Sequence, residues 1–412
     1  MCQNHGTPNG AANGTANGAA APTFYEEQYD PTKILKHAEF KVLQQGDAAL
    51  DDPKANIASA YTPEHEVLMI NKPVPVARKG EAIVHVKATG ICGSDVHFWK
   101  HGHIGPMVVT DVNGAGHESA GEVIAVGEGV TNVAVGDRVA IEAGVPCGQA
   151  DCYYCRVGRY NACPRVVFFS TPPYHGTLTR YHAHPAAWLH KLPDNVSYEE
   201  GSVCEPLAVA LAGIDRAGLK LGDEVLICGA GPIGLVSLLA ARAAGAAPIV
   251  ITDLFQSRLD FAKKLVPNVR TVKIERGWTP EETAEKIKAA AASPGGAGVN
   301  EGGLRLALEC TGVESSIRTA IHSMRFGGKV FVIGVGGDEQ SYPFGLVGAR
   351  EIDLQYQYRY AEQYPKAIRL VSEGLVDLKP LVTHRFPLNK AVEAFQVAAD
   401  PTQGAIKVQI QD

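Results

Sequence analysis

The 412-residue sequence predicts an α/β protein in two parts: a β-rich, barrel-like half, then a parallel sheet built from βαβ units. Three observations predict it. From about residue 57 to 204, short β-rich runs alternate with glycine-rich turns. From residue 224 onward, apolar strand-like runs alternate with helical ones. Where the first of these strands meets the first helix stands Gly229-Ala230-Gly231-Pro232-Ile233-Gly234, a G-x-G-x-x-G turn.

In chain order, residues 1–22 are mostly Ala, Asn and Gly, and disorder is expected there because little apolar surface is available to offset chain entropy. Ile34, Leu35, Phe40, Val42 and Leu43 suit a short helix, to which no role is assigned. Strands are expected at 82–88, 121–126 and 137–142, each bounded by Gly or charge. The second half predicts strands at 224–228, 248–252, 270–274, 304–309 and 329–333. Helices at 233–244, 256–266, 280–292 and 314–324 separate or follow them. The run 293–303 reads as a surface loop. After 353 the chain predicts helix 362–373, strand 382–386, helix 389–399 and strand 405–410.

Composition narrows the class. The chain is 45% hydrophobic and 20% charged, enough apolar material for sizeable cores. Its net charge of -6 argues against nucleic acid or an anionic membrane as the main partner, since both favour a basic surface. The charge-free stretch 225–241 is a marginal membrane candidate by length, but its glycines and Pro232 belong to the turn above. Residues 1–32 hold no Lys or Arg, so neither a signal nor a transit peptide fits, and a cytoplasmic protein is expected.

The glycine turn has the context that gives it meaning. It follows an expected strand, opens an expected helix, and precedes a second strand ending in Asp253. Gly229 permits the tight turn, Gly231 lets backbone approach a pyrophosphate, and Gly234 lets helix and strand pack closely. With Pro232 and Ile233 starting the helix, its N-terminus offers N–H groups to phosphates. Asp253 suits ribose hydroxyls and would repel a 2′-phosphate, so NAD is the expected cofactor. Arg258, one turn on, either helps hold the ribose or adenine or is a surface charge.

Nine cysteines do not make a disulfide scaffold in a chain this long. Cys147, Cys152, Cys155 and Cys163 lie close together, and four thiolates close a tetrahedral zinc shell of the structural type. A second, dispersed set comprises Cys92, the pair His117-Glu118, and Cys204-Glu205. Cys92, His117 and Glu118 with Glu205 nearby offer the three ligands and exchangeable position of a catalytic zinc site.

Gly116-His117-Glu118-Ser119-Ala120-Gly121, with Gly127 and Val130 beyond it, resembles the signature of the zinc-containing medium-chain alcohol dehydrogenases. The four-cysteine loop, the glycine turn and their order resemble that family too, from about residue 57 onward. One departure is a four-residue gap after Cys147 where the wider family usually has two; another is Thr110–Ala115 before the signature. Gly102–Gly105, Thr171-Pro172-Pro173, Glu205-Pro206-Leu207, Glu309–Gly312 and Thr383–Leu388 resemble the polyol branch, which oxidises sorbitol, xylitol and L-arabinitol.

The resemblance implies a GroES-like catalytic domain at 55–206, completed by 358–412. It also implies a Rossmann doubly wound parallel-sheet coenzyme domain at 207–357, with 1–54 as an N-terminal extension. It implies NAD and two zinc ions per subunit, one catalytic and one structural, in a homotetramer acting on a small polyol. The implied roles are Ser94 and His97 as the proton relay, and Glu205 as zinc ligand or as base. Ile333, Val335, Gln357, Tyr358 and Arg359 would flank the nicotinamide half of the cofactor. Phe98, Glu205, Arg359 and Tyr360 would contact substrate. L-arabinitol oxidised at C4 to L-xylulose is the implied reaction, with xylitol or sorbitol as alternatives. A non-catalytic NAD-binding scaffold is a remote further one, since no zinc ligand or relay residue is missing.

Overall fold

A computed structural model describes residues 39–292 and 302–412. Its larger antiparallel assembly runs, in spatial order, Leu189–Lys191, Arg138–Ile141, Glu118–Val126, Glu81–Gly90, Lys407–Gln411 and Val382–Pro387. Tyr181–Pro185 also pairs with Glu81–Gly90, while Lys407–Gln411 runs parallel to Val382–Pro387. Every residue of Arg138–Ile141 but the first is buried, as expected of a strand inside a closed β layer. A second sheet orders Lys41–Leu43, Val67–Lys72, Asn56–Tyr61 and Asn113–Gly114.

Lys41–Leu43 corrects the helix expected around 34–43. It is a strand, antiparallel to Val67–Lys72, with Lys41 exposed and Leu43 buried. The β-branched Val42 favours a strand over a helix. Ile34 and Leu35, the disorder expected at 1–22, and 293–301 of the expected loop lie outside the described residues.

The second half is a six-stranded, all-parallel sheet. Its spatial order is Arg270–Lys273, Ile249–Asp253, Val225–Cys228, Leu304–Glu309, Met324–Val332 and Asp353–Tyr356. Strand order reverses beside Val225–Cys228, the switch point where open α/β sheets bind ligands at their carboxyl ends. Helices Pro232–Ala243, Gln256–Leu265, Pro280–Ala291 and Glu314–Ser323 make the crossovers. The charge-free 225–241 stretch is thus a short strand, a turn and most of a helix. Among the described residues no helix is long and apolar enough to cross a membrane.

Besides the single turn Tyr153–Arg156, two longer helices interrupt the region expected to hold only strands. Gly93–His101 is short and polar, with Asp95 and Phe98 its buried residues. Tyr198–Ala217 is long and deeply buried. A capping box opens it: Ser197 Oγ accepts from the Glu200 N–H at 3.2 Å and Glu200 Oε2 accepts from the Ser197 N–H at 3.0 Å. Gly218, in the left-handed region, closes it. This helix packs on Glu118–Val126 in the antiparallel sheet and on Pro232–Ala243 beside the parallel one. The expected division at 206/207 falls inside it. One apolar core therefore runs from Ala120 and Val145 through Leu207 and Leu211 to Ile227, Leu235 and Phe331.

Candidate functional site

The glycine turn is held from behind. Asp253 Oδ2 accepts from the Ala230 N–H at 2.8 Å and Oδ1 from the Phe255 N–H at 2.9 Å, so the carboxylate braces the turn. Arg258 stands 3.8 Å from the same carboxylate and over the Phe255 ring. A Cβ on Gly234 would lie 1.8 Å from the Gly229 carbonyl oxygen, so only glycine permits this approach. A Cβ at Gly231 would meet nothing closer than 3.9 Å, so that face is open to a ligand. Pro232 starts the helix, where its missing N–H costs nothing. This open backbone cradle fits a pyrophosphate.

Ile333 is buried and packs toward Gly213 of the Tyr198–Ala217 helix, whereas Val335 is exposed. Gln357 donates to the Val209 carbonyl at 3.2 Å and the Arg359 carbonyl at 2.6 Å, which ties the crossover back to that helix. Half-exposed Tyr358 lies beside the Arg359 guanidinium, and its carbonyl accepts from Asn161 at 2.7 Å.

The four sulfurs of Cys147, Cys152, Cys155 and Cys163 lie within 4.8 Å of one another. Cys147–Cys155 and Cys152–Cys163 separations are 3.7 and 3.9 Å. Zinc–sulfur bonds of about 2.3 Å at tetrahedral angles put sulfurs about 3.8 Å apart, so the set fits zinc. It does not fit disulfides, whose bonds are about 2.05 Å. The longer gap after Cys147 leaves these distances suited to one ion.

Cys92, His117 and Glu118 also bring one ligand atom each within 4.8 Å. Thiolate, imidazole and carboxylate together suit zinc. The chain draws these residues together in a definite way. Cys92 ends the approach to the Gly93–His101 helix, and Asp95 in its first turn accepts from the Cys92 N–H at 3.1 Å. The other oxygen of Asp95 accepts from the Gly116 N–H, also at 3.1 Å, so one buried carboxylate links both ligand segments. Gly116 has φ of +88°, and a Cβ there would lie 2.7 Å from the Leu178 side chain. The Ser170 hydroxyl meets His117 Nδ1 at 2.7 Å, which leaves Nε2 to face a metal. Glu118 sits against Lys407 Nζ at 2.7 and 2.8 Å, both side chains almost fully buried.

Glu205 is buried on the Tyr198–Ala217 helix. Burial pushes its carboxyl up to about 7, with Glu118 adding to the rise while His117 and Lys407 oppose it. The Tyr360 hydroxyl is buried beside the Glu205 carboxylate and the Tyr364 hydroxyl, and burial, then Glu205, raises its pKa. Arg359 lies 3.7 Å over the Phe168 ring and donates to Thr171 Oγ1 at 3.1 Å. Ser94 Oγ is 3.5 Å from His117 Nε2, and His97, one turn on, is exposed beside His101. Phe98 is 3% exposed and stacks on Tyr61 in an apolar cluster.

Asp95, Ser170 and Lys407 were not among the residues expected from sequence. Cys92-x-x-Asp95 has capping-box spacing and could have been found. A lone lysine in the apolar strand near 405–410 was a second signal. Ser170 left none, because it reaches His117 only through the fold.

Residues 78–194 match the family model for the alcohol dehydrogenase GroES-like domain, and 232–373 match that for the zinc-binding dehydrogenases. An L-arabinitol 4-dehydrogenase of Penicillium rubens is 55% identical over 366 residues, covering 87% of this chain and 94% of that protein. A sorbitol dehydrogenase of Gallus gallus is 42% identical, covering 83% and 92%. Among solved structures, L-idonate 5-dehydrogenase of Escherichia coli superposes with a TM-score of 0.77 at 26% identity, covering 91% of this chain and all of that one.

Proposed function

The chain belongs to the zinc-binding alcohol dehydrogenase family, and we propose on that premise that it oxidises L-arabinitol at C4 to L-xylulose with NAD. It is an oxidoreductase of the polyol dehydrogenase group. The observation that carries the substrate class is the polar wall beside the Cys92–His117–Glu118 cluster. Buried Glu205, the Arg359 guanidinium and the buried Tyr360 hydroxyl supply the donors and acceptors that a polyhydroxylated chain needs. The greater identity to the L-arabinitol enzyme than to the sorbitol enzyme favours a pentitol.

Zinc, when bound, would supply Lewis acidity that makes the alcohol hydroxyl more acidic, and NAD would supply the hydride acceptor. Cys92, His117 and Glu118 would hold that metal, with Glu205 beside it as a further ligand or as a base. Ser94 and His97, three residues apart on one helix, carry the proton outward. Arg359 and Tyr360 bind substrate hydroxyls and fix which carbon presents its hydrogen. The Gly229–Gly234 turn receives the pyrophosphate, and Asp253 accepts the ribose hydroxyls. Ile333, Val335, Gln357 and Tyr358 line the nicotinamide half. Cys147, Cys152, Cys155 and Cys163 hold the second, structural zinc. A catalytic domain of 55–206 with 358–412, a coenzyme domain of 207–357 and a homotetramer complete the reading; they rest on the family resemblance.

Purified enzyme should give kcat/KM values falling from L-arabinitol to xylitol or ribitol to sorbitol, with at least about tenfold between the ends, because unmatched polar groups are costly. Tyr358→Phe should narrow the gap to sorbitol. An enzyme that prefers sorbitol, or that is idle on L-arabinitol while turning over xylitol, overturns the substrate assignment. NADP should serve far worse than NAD, since its 2′-phosphate would meet Asp253. Equal kcat/KM for the two coenzymes overturns that part.

A further inference from the structure

Ser170 is buried, and its backbone lies in the left-handed region with φ of +76°. That conformation is unfavourable for a residue with a Cβ and persists only where the surroundings fix it. They do so here from several directions. Tyr61 and Asn113 stand opposite each other on paired strands, both buried. The Ser170 carbonyl accepts from the Tyr61 hydroxyl and, at 3.1 Å, from Asn113 Nδ2. Asn113 Nδ2 also donates to the Tyr61 hydroxyl at 3.2 Å, which locks the two donors together. On one side of Ser170 the Phe169 N–H donates to the Ala143 carbonyl at 3.0 Å. On the other, the Thr171 N–H turns back to the Phe168 carbonyl, also at 3.0 Å.

The side chain supplies a reason for this unfavourable turn. Ser170 Oγ lies 2.7 Å from His117 Nδ1. Asp95 also stands beside that nitrogen, but its Oδ1 is 3.6 Å away, beyond hydrogen-bond reach. Both Asp95 oxygens already serve backbone, Oδ1 the Gly116 N–H and Oδ2 the Cys92 N–H, each at 3.1 Å. The carboxylate therefore ties the ligand segments together, and the hydroxyl takes the ring. The Phe168 ring, with centroids 5.6 Å apart, closes a further side of the imidazole. At negative φ the Cβ of Ser170 would leave the chain in another direction, and its hydroxyl would lose His117.

We propose that Ser170 is a positioning residue of the metal centre: its left-handed turn brings Oγ to His117 Nδ1 and so holds Nε2 toward zinc. The proposal rests on the zinc reading above. A histidine that binds metal through one nitrogen is oriented by the hydrogen bond at the other. Loss of such a partner costs about 10–100-fold in metal affinity. Tyr61 and Asn113 act one step further out, because they hold the turn that aims the hydroxyl.

Chelator competition on the full-length, zinc-loaded enzyme, with metal analysis, tests this. The unmodified chain should hold two zinc ions, and Cys92→Ser should lack the one that Ser170 serves. Ser170→Ala should weaken that ion at least about tenfold and leave the other unchanged. Ser170→Gly should weaken it equally. Glycine accepts φ of +76° without strain, so this variant decides if Ser170→Ala does not fold. Thr171→Val is the control. It removes the bond from Arg359 in the same turn and leaves the Ser170 hydroxyl in place, so zinc affinity should be unchanged. Cobalt placed in the same site should show shifted visible absorption in both Ser170 variants and not in Thr171→Val, because ring orientation alters the ligand field. Unchanged zinc affinity and cobalt bands in a folded Ser170 variant, or an equal loss in Thr171→Val, overturns the proposal while the zinc reading stands. A Cys92→Ser chain that keeps both ions overturns the zinc reading and the proposal with it.

Discussion

Cys92→Ser should lower kcat/KM by about 10³-fold or more while leaving the fold in place. The estimate follows from the several kcal/mol of transition-state stabilisation that a Lewis-acid metal supplies, at about 1.4 kcal/mol per factor of ten. Cys92 precedes a helix whose first turn is anchored independently by Asp95, through Gly116 as well as Cys92. A serine preserves the backbone N–H that Asp95 accepts, so the helix start should survive. Metal analysis should find one zinc per chain in place of two, with an unchanged circular dichroism spectrum and a thermal midpoint within a few degrees of wild type. Substantial activity in a variant holding one zinc would remove the Cys92 cluster from the chemistry.

Cys155→Ser should do the reverse. The four-sulfur set has few apolar contacts besides its donors. Tyr153–Arg156 is a single turn of helix with none of its residues buried, and among the described residues Val166 is the apolar side chain packed on the sulfurs, with Arg165 donating to Cys147 Sγ at 3.3 Å. A loop so poor in apolar contacts depends on its metal for folding free energy. A loss of about 4 kcal/mol or more is expected, read as a drop of about 10 °C in the thermal midpoint. Zinc content should again fall to one per chain, but kcat at low temperature should stay within a few-fold of wild type. A variant that keeps its midpoint and loses one zinc would show that the loop is held by protein contacts alone.

Much of the parallel half was legible because its physics is local. Val225–Cys228 and Leu304–Glu309 are apolar runs almost buried throughout, with helical runs between them, and each pattern fits within one element. The glycine turn was legible for the same reason: a positive φ at Gly229, open backbone at Gly231 and the close approach of Gly234 to the Gly229 carbonyl all fall within six residues. The Tyr198–Ala217 helix was missed because most of its faces are buried, which erases the period that marks a surface helix. Gly201, Pro206 and Gly213 inside it read as breakers. The helix tolerates them because packing supplies what propensity withholds. Gly201 lies against Leu192 and Gly213 against Ile333, where larger side chains would collide. The metal ligands could be read as residue types, but their supports could not. Lys407 is 289 positions from Glu118, and Ser170 is 53 from His117. Nothing along the chain links such pairs, because the contacts exist only after two sheets have closed.

The strand Lys407–Gln411 enters the antiparallel sheet beside Glu81–Gly90, and it carries the lysine that meets Glu118. On the ribosome this imposes a schedule. The residues of the parallel sheet, 225 to 356, are contiguous and can close while synthesis continues. The antiparallel sheet must wait for a neighbour made more than 300 residues after Gly90, roughly half a minute at ~5–20 residues per second. During that interval the edge of Glu81–Gly90 lacks its partner, and Glu118 is without its cation. The nascent chain should therefore mature out of order, with its earlier half the last to close and to take up metal. Protease protection of ribosome-stalled chains should appear in the later half first; protection of both halves before residue 407 emerges would reverse that order.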